Sequence, residues 1–103
     1  MNNYIGVGRI VNDTTNNTIT LAITRHYKNS DGTYDTDFID VILSDYMTQT
    51  TAEYCRKGDL IGVKGRLETR IITDDNLNKI KQTYVVADRI TFLSQNTINE
   101  GEI

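Results

Sequence analysis

The sequence predicts one all-β domain, a small five-stranded barrel with a single helix between the third and fourth strands. Apolar and polar residues alternate with a period of two in several short segments, as in half-buried strands. Turn-forming residues separate these segments, and glycines interrupt the strands where a short sheet must curve. A chain of 103 residues is long enough to bury one such core without disulfide support.

The fourth strand, expected within residues 57–70, shows the pattern most clearly. Its apolar residues fall on one face, which we expect to be buried: Ile61, Val63 and Leu67. Its charged residues fall on the other, outer face: Lys64, Arg66, Glu68 and Arg70. Gly62 and Gly65 interrupt this strand, and glycine at such a position is typical of a bulge, a bend or a close backbone approach.

The first three strands are predicted at residues 4–11, 18–25 and 36–43. Asp31-Gly32 lies between the second and third strands and can supply the positive φ of a tight hairpin. In the third strand Ile39 and Val41 share the apolar face, so alternation directs Phe38 outward. An exposed Phe is a candidate for binding or for packing against a neighbouring strand or subunit, and the pattern alone leaves both open.

Residues 45–57 predict a helix with Ser44 as its N-cap and Gly58 after its end. Met47 and Thr51 lie at helical spacing from Tyr54 and Cys55, so we expect this face to close one end of the barrel, with Tyr54 and Cys55 in the core. A polar loop then leads to the fifth strand at residues 79–93. The predicted barrel domain is 1–94, followed by a short flexible tail at 95–103.

The composition argues against several classes of function. His26 is the only histidine and nothing pairs it with a nucleophile, so no catalytic triad, no zinc site and no other cofactor site is predicted. Gly6 and Gly8 lack the third glycine of a dinucleotide-binding loop. A lone Cys55 and the absence of a signal or membrane-spanning stretch predict a cytoplasmic protein that is not an enzyme.

The formal net charge of −3 shows that the chain is not basic throughout. Several cations nevertheless fall on or beside predicted strands, which leaves room for a local basic groove. Charge alone favours an ordinary mixed-charge surface over such a groove. The element order strand, strand, strand, helix, strand, strand is that of the oligonucleotide/oligosaccharide-binding (OB) barrel, which holds sugars, peptides and proteins as well as nucleic acids.

Separate segments carry a family resemblance, namely residues 5–10 (IGVGRI), 21–24 (LAIT), 37–39 (DFI), 54–59 (YCRKGD) and 65–70 (GRLETR). Over residues 4–93 the chain resembles the bacterial and phage single-stranded DNA-binding proteins, with no gap needed from Asp37 to Arg70. The resemblance implies an OB barrel that forms a homotetramer or a dimer. It also implies coating of single-stranded DNA, without strong sequence preference, during replication, repair, recombination or plasmid and phage DNA transfer.

In this family aromatic rings stack on bases at four places, which here hold Tyr27, Phe38, Ser44 and Ile72. The resemblance therefore implies stacking by Tyr27 and Phe38, with two platforms missing, which weakens binding unless Tyr34, Tyr46 or Tyr84 substitutes. Strict alternation would turn Tyr27 inward, so its outward placement rests on the resemblance. Asp40 stands where a basic residue is common. The candidate phosphate partners are Arg9, Arg25, Lys57, Lys64, Arg66 and Arg70.

Two functions remain open at this point. The first is an OB barrel that coats single-stranded DNA. The second is an oligomeric protein-interaction barrel with weak or no DNA affinity, which Ser44, Ile72 and the acidic balance would permit. Residues 99–103 lack the long linker and the acidic, then apolar, tip through which the family recruits replication and repair proteins, and Glu100, Glu102 and Ile103 are only a faint echo of that tip. Partners of that kind stay open, without the tail motif to support them.

Overall fold

A computed structural model describes residues 1–14 and 16–95 of the chain. In this part it contains five strands and one helix, which are β1 (Tyr4–Ile10), β2 (Thr18–Thr24), β3 (Thr36–Ile42), α1 (Asp45–Tyr54), β4 (Leu60–Thr73) and β5 (Lys79–Ser94). The predicted order of elements is confirmed, and their limits shift by a few residues. Apart from Gln95, the predicted tail lies outside the described residues.

The strands close into a barrel in the order β1-β2-β3-β5-β4. The paired strands are antiparallel except for β3 and β5, which run parallel where Val41 and Ile42 face Val85 and Val86. The helix α1 lies between β3 and β4 in the chain. This topology confirms the predicted OB barrel.

Period-two alternation builds the core of the barrel. Alternate residues of each strand point inward, and the most deeply buried side chains are Ile19, Leu21, Val41, Ile61, Val63 and Val85. Each such aliphatic side chain contributes about 1.5–3 kcal/mol by leaving water. The same alternation sends the intervening side chains of every strand to the outer wall, where a ligand can reach them.

The helix begins as predicted and ends earlier than predicted. Ser44 Oγ accepts a hydrogen bond from the Met47 backbone N–H at 3.2 Å, which caps the first turn. Thr51 is buried, and Met47 and Cys55 pack against the core. The expectation that Tyr54 is a core residue is wrong, because its side chain is 70% exposed. The helix ends at Tyr54, and the next residue, Cys55, is its C-cap and packs against the core as predicted.

Leu67 is also wrongly predicted as buried, and its side chain is 44% exposed. The pairing of β1 with β4 stops at Tyr4 and Gly65. Beyond Gly65, β4 pairs only with β5, and β5 pairs with β3 at Val85 and Val86. The two strands therefore leave the barrel after the Leu67–Val85 pair as a two-stranded extension, here called the ribbon (residues 68–73 and 79–84). Leu67 faces Val85 at the base of the ribbon, where Val85 is buried in the core but Leu67 stays partly exposed.

Gly65 marks the place where β4 bends. The register of β4 and β5 shifts here, since Lys64 faces Arg89 and Gly65 faces Ala87, which leaves Asp88 as the extra residue of a bulge. A Cβ at Gly65 would collide with the Val86 carbonyl oxygen and would lie 3.1 Å from the Ala87 Cα. Only glycine allows this backbone approach, so the predicted bend is confirmed at Gly65.

We expect Gly65→Ala to lower the free energy of unfolding by about 1–3 kcal/mol or more, because the methyl group meets backbone that cannot give way. Gly62→Ala is the matched control. An added Cβ there would lie 3.8 Å from Leu93 Cδ1, which is an ordinary contact. Urea denaturation of both variants measures the difference, and equal stability of the two would contradict this role of Gly65.

Candidate nucleic-acid interface

An outward row of side chains crosses three neighbouring strands of the barrel. Arg9 on β1 faces Ala22 on β2, and Ala22 faces Phe38 on β3. The Phe38 side chain is 64% exposed, so its predicted outward direction is confirmed. Because Ala22 is small, it leaves a gap between the guanidinium and the ring.

This gap belongs to an open groove of about 490 Å³, here called the Phe38 groove. Its lining includes Val7, Arg9, Ala22, Thr24, Thr36 and Phe38. The Oγ1 atoms of Thr24 and Thr36 lie 3.4 Å apart and offer a pair of hydroxyl groups. The groove thus combines an aromatic face, an apolar floor, hydroxyl groups and one fixed cation.

Close packing of β1 on β2 forms the floor of the groove. A Cβ at Gly8 would lie 2.8 Å from the Ala22 carbonyl oxygen and 2.8 Å from Ile23 Cγ1. Glycine therefore allows the two strands to approach at this point.

Arg9 is held at the edge of the groove by a hydrogen bond to the backbone. Its Nη1 donates a hydrogen bond to the Gly58 carbonyl oxygen at 3.0 Å. Among residues 1–14 and 16–95, no carboxylate lies within ion-pair distance of Arg9, Lys57 or Lys64. These three predicted phosphate partners therefore keep their charge uncompensated by a direct ion pair.

Arg25, in contrast, is paired with carboxylates. Its Nε and Nη2 donate to the two carboxylate oxygens of Asp37 at 3.0 and 2.9 Å, and its Nη1 lies 3.5 Å from Asp35 Oδ2. The hydrogen bonds from Arg25 hold the pKa of Asp37 below its usual value.

Tyr27 lies just beyond β2 and is 55% exposed, so the predicted outward placement agrees with the structure.

Arg66 and Arg70 are also paired, on the outer face of β4. Arg66 Nη2 lies 2.9 Å from Glu68 Oε2, and Arg66 Nη1 lies 3.1 Å from Asp88 Oδ1. Arg70 lies 3.4 Å from the other oxygen of Glu68 and 5.9 Å from the centre of the Tyr84 ring. Hydrogen bonding by Arg66, with a smaller contribution from Arg70, lowers the pKa of Glu68. The shared outer face of these residues was predicted, whereas their neutralisation by acids was not.

The two non-aromatic platform positions have other roles. Ser44 caps α1, and Ile72 faces Ile80 in the ribbon. Asp40 accepts a hydrogen bond from Thr20 Oγ1 at 2.8 Å. Of the aromatic residues considered as substitutes, Tyr34 and Tyr46 are exposed and Tyr84 is half-buried. None of these three tyrosines is among the residues that line the Phe38 groove.

Sequence reasoning missed the two threonines of the groove and the acidic partners of the arginines. The turn signal does not give the register of this hairpin: a hairpin centred on Asp31-Gly32 would place Arg25 opposite Phe38, whereas Ile23 faces Asp37 and Thr24 faces Thr36. In the described part of the chain, no group of three His, Cys, Asp or Glu side chains could hold a metal ion. Nor does that part contain a helix long and apolar enough to cross a membrane.

A closed OB barrel with an exposed aromatic ring and a guanidinium on one outer face has the features of the ligand-binding OB class. The family model described as the Single-strand binding protein family matches residues 1–93. The chain belongs to this family, as the resemblance of its segments implied.

Relatives and solved structures agree with this membership. A single-stranded DNA-binding protein of Streptococcus mutans is 32% identical over 99% of this chain and 68% of its own length. One from Streptococcus pneumoniae is 34% identical over 98% of this chain and 70% of its own length.

The fold is shared with the Plasmodium falciparum SSB, solved in complex with ssDNA, at a TM-score of 0.75 and 20% identity over 91% of this chain and 96% of that one. A small single-stranded DNA-binding protein from Streptomyces coelicolor gives a TM-score of 0.67 at 20% identity, over 88% of this chain and 93% of that one.

Proposed function

We propose that this protein binds and coats single-stranded DNA without strong sequence preference. The observation that carries the proposal is the outward row in which the exposed Phe38 ring and the Arg9 guanidinium flank Ala22. Membership of the single-strand binding protein family supports the same ligand. The groove is open, so an unpaired base can enter it from the side.

The mechanism needs no chemical step, so we propose a binding protein and not an enzyme. Every base has a π-face, and the Phe38 ring can stack on any of them, with Tyr27 as a second platform. Arg9, Lys57 and Lys64 follow the phosphates, since the structure leaves them without a carboxylate partner among the described residues. Arg70 is a further candidate, because one long ion pair holds it.

Titration of labelled oligo-dT at two salt concentrations tests this function. We expect log affinity to fall with log salt by about 0.7 for each phosphate neutralised. Phe38→Ala removes one stacking platform, so we expect it to weaken binding by about 1–3 kcal/mol, or roughly 5- to 150-fold. Tyr54→Ala removes a similarly exposed ring from α1, which contributes no residue to the lining of the Phe38 groove, and is the matched control.

Failure of the wild type to bind even at low salt would contradict the proposal. The protein-interaction barrel would then be favoured, and the observation behind it is the pairing of Arg25, Arg66 and Arg70 with acids. Equal losses of affinity from Phe38→Ala and Tyr54→Ala would show that the protein binds DNA but that the Phe38 groove is not the binding site.

We also propose that the protein forms a homo-oligomer, a tetramer or a dimer, through the edge of β1 around Ile5, at the end of the strand away from Arg9. Ile5 is 77% exposed there and is not among the residues that line the Phe38 groove. β1 pairs with β2 only at Arg9 and Ile10, so residues 4–8 keep one edge on which the described chain forms no ladder. Exposed apolar side chains next to such an edge favour pairing with a second copy.

Ile5→Asp places a charge on this surface, so we expect it to lower the mass measured by analytical ultracentrifugation. Leu77→Asp, at the exposed turn of the ribbon, is the control and leaves the mass unchanged. A wild type that sediments as a monomer at tens of micromolar, or an Ile5→Asp variant of unchanged mass, would argue against this interface.

In the cell we place this activity in the cytoplasm, at the nucleoid, where replication, repair, recombination or plasmid and phage transfer expose single strands. Crosslinking in living cells, followed by sequencing of the captured DNA, tests this placement. The proposal fails if the captured DNA is not enriched in single-stranded regions.

A further inference from the structure

Arg25 has the charge expected of a phosphate partner, but each of its three side-chain nitrogen atoms already has a partner inside the protein. We infer that Arg25 and Asp37 are positioning residues, which clamp the base of the β2–β3 hairpin so that Tyr27 is held ready to stack on a base, while the Arg25 guanidinium binds no phosphate. This inference rests on the proposed function and assigns a different role to one of its candidate cations.

The geometry of the guanidinium supports the clamp. Arg25 Nε and Nη2 meet Asp37 Oδ2 and Oδ1 at 3.0 and 2.9 Å, which is the bidentate arrangement of a strong ion pair. Nη1 lies 3.5 Å from both Asp35 Oδ2 and Tyr27 Oη. All three nitrogen atoms therefore have partners, and two carboxylates oppose one positive charge. A phosphate would compete with Asp37 for the guanidinium and would meet the carboxylates of both Asp35 and Asp37.

The position of the pair in the sheet agrees with this assignment. Asp37 faces Ile23 across β2 and β3, on the sheet face of the buried Leu21 and Val41. Phe38 and Thr36 belong to the opposite, outer face with the groove. Arg25 thus lies on a different face of the hairpin from the Phe38 groove, whereas Tyr27 remains exposed beyond the end of the strand.

The clamp acts on a hairpin that is otherwise closed near its tip. The Asn29 N–H donates to the Thr33 carbonyl oxygen at 2.7 Å, and Asp31 Oδ1 accepts from both the N–H and the hydroxyl of Thr33. At the base, the Arg25 N–H donates to the Asp35 carbonyl oxygen at 2.8 Å. In the chain, Tyr27 lies between these two groups of hydrogen bonds. The bidentate Arg25–Asp37 ion pair at the base therefore restrains the segment that carries the Tyr27 ring.

Arg25→Lys separates positioning from phosphate binding. Lysine keeps the charge but cannot form the bidentate fork. If Arg25 acts as a clamp, Arg25→Lys and Arg25→Gln both weaken oligo-dT binding roughly threefold to tenfold, which is part of the binding free energy of one stacked base. Neither substitution then changes the slope of log affinity against log salt. Lys28→Gln, which removes an exposed cation from the same hairpin, is the matched control and does not produce this loss.

A double-mutant cycle identifies the group through which Arg25 acts. If the clamp serves Tyr27, Arg25→Lys has no further effect in the Tyr27→Ala background. The pair is partly exposed, so we expect the variants to fold. Circular dichroism checks the fold, and hydrogen exchange at the Arg25 amide shows directly whether the base of the hairpin has loosened.

The outcomes separate this inference from the proposed function. If Arg25→Lys binds like the wild type while Arg25→Gln reduces the salt slope by about 0.7, Arg25 is a phosphate partner and the clamp is overturned. If the losses of affinity from Arg25→Lys and Tyr27→Ala add in the double variant, Arg25 does not act through Tyr27 and that part of the inference is overturned. Both results presuppose binding by the wild type, whereas a wild type that binds no oligo-dT overturns the proposed function and this inference together.

Discussion

The close approach of backbone at Gly65 is the constraint on which the rest of the structure depends. At this point β4 stops pairing with β1 and continues with β5 alone, so one bend both closes the barrel and releases the ribbon. Closure places β1 between β2 and β4. As a result Arg9 faces Ala22 on one side and Leu60 on the other, and the row continues to Phe38. The candidate groove is thus a consequence of how the barrel closes.

The electrostatics explain how an acidic chain can present an interface for an anion. With a net charge of −3, the chain as a whole repels a polyanion. Acids neutralise Arg25 and Arg66 through short ion pairs, while Arg9, within the described residues, bonds to a backbone carbonyl group and to no carboxylate. The number of basic residues is therefore a poor guide to phosphate binding here. What matters is which guanidinium and ammonium groups lack a carboxylate neighbour.

Much of this arrangement was accessible from the sequence, because period-two alternation determines which face of a strand a side chain occupies. It placed Phe38 outside and Val41 inside, and glycine within the fourth strand indicated the bend. The prediction of burial was wrong for Leu67 and Tyr54. Alternation and helical spacing give the direction of a side chain, but they do not show whether another part of the protein covers that side chain. The ion pair of Arg25 with Asp37 depends on strand register, which a pattern within one strand does not contain.

Chemical-shift mapping tests the central claim, that the outer row of the barrel receives the bases, without altering any residue. Addition of oligo-dT to ¹⁵N-labelled protein is predicted to shift the backbone amides of Arg9, Ala22, Thr36 and Phe38 most strongly, and to leave the amides of α1 nearly unchanged. Shifts confined to α1, or absent from β1, β2 and β3, would contradict the account.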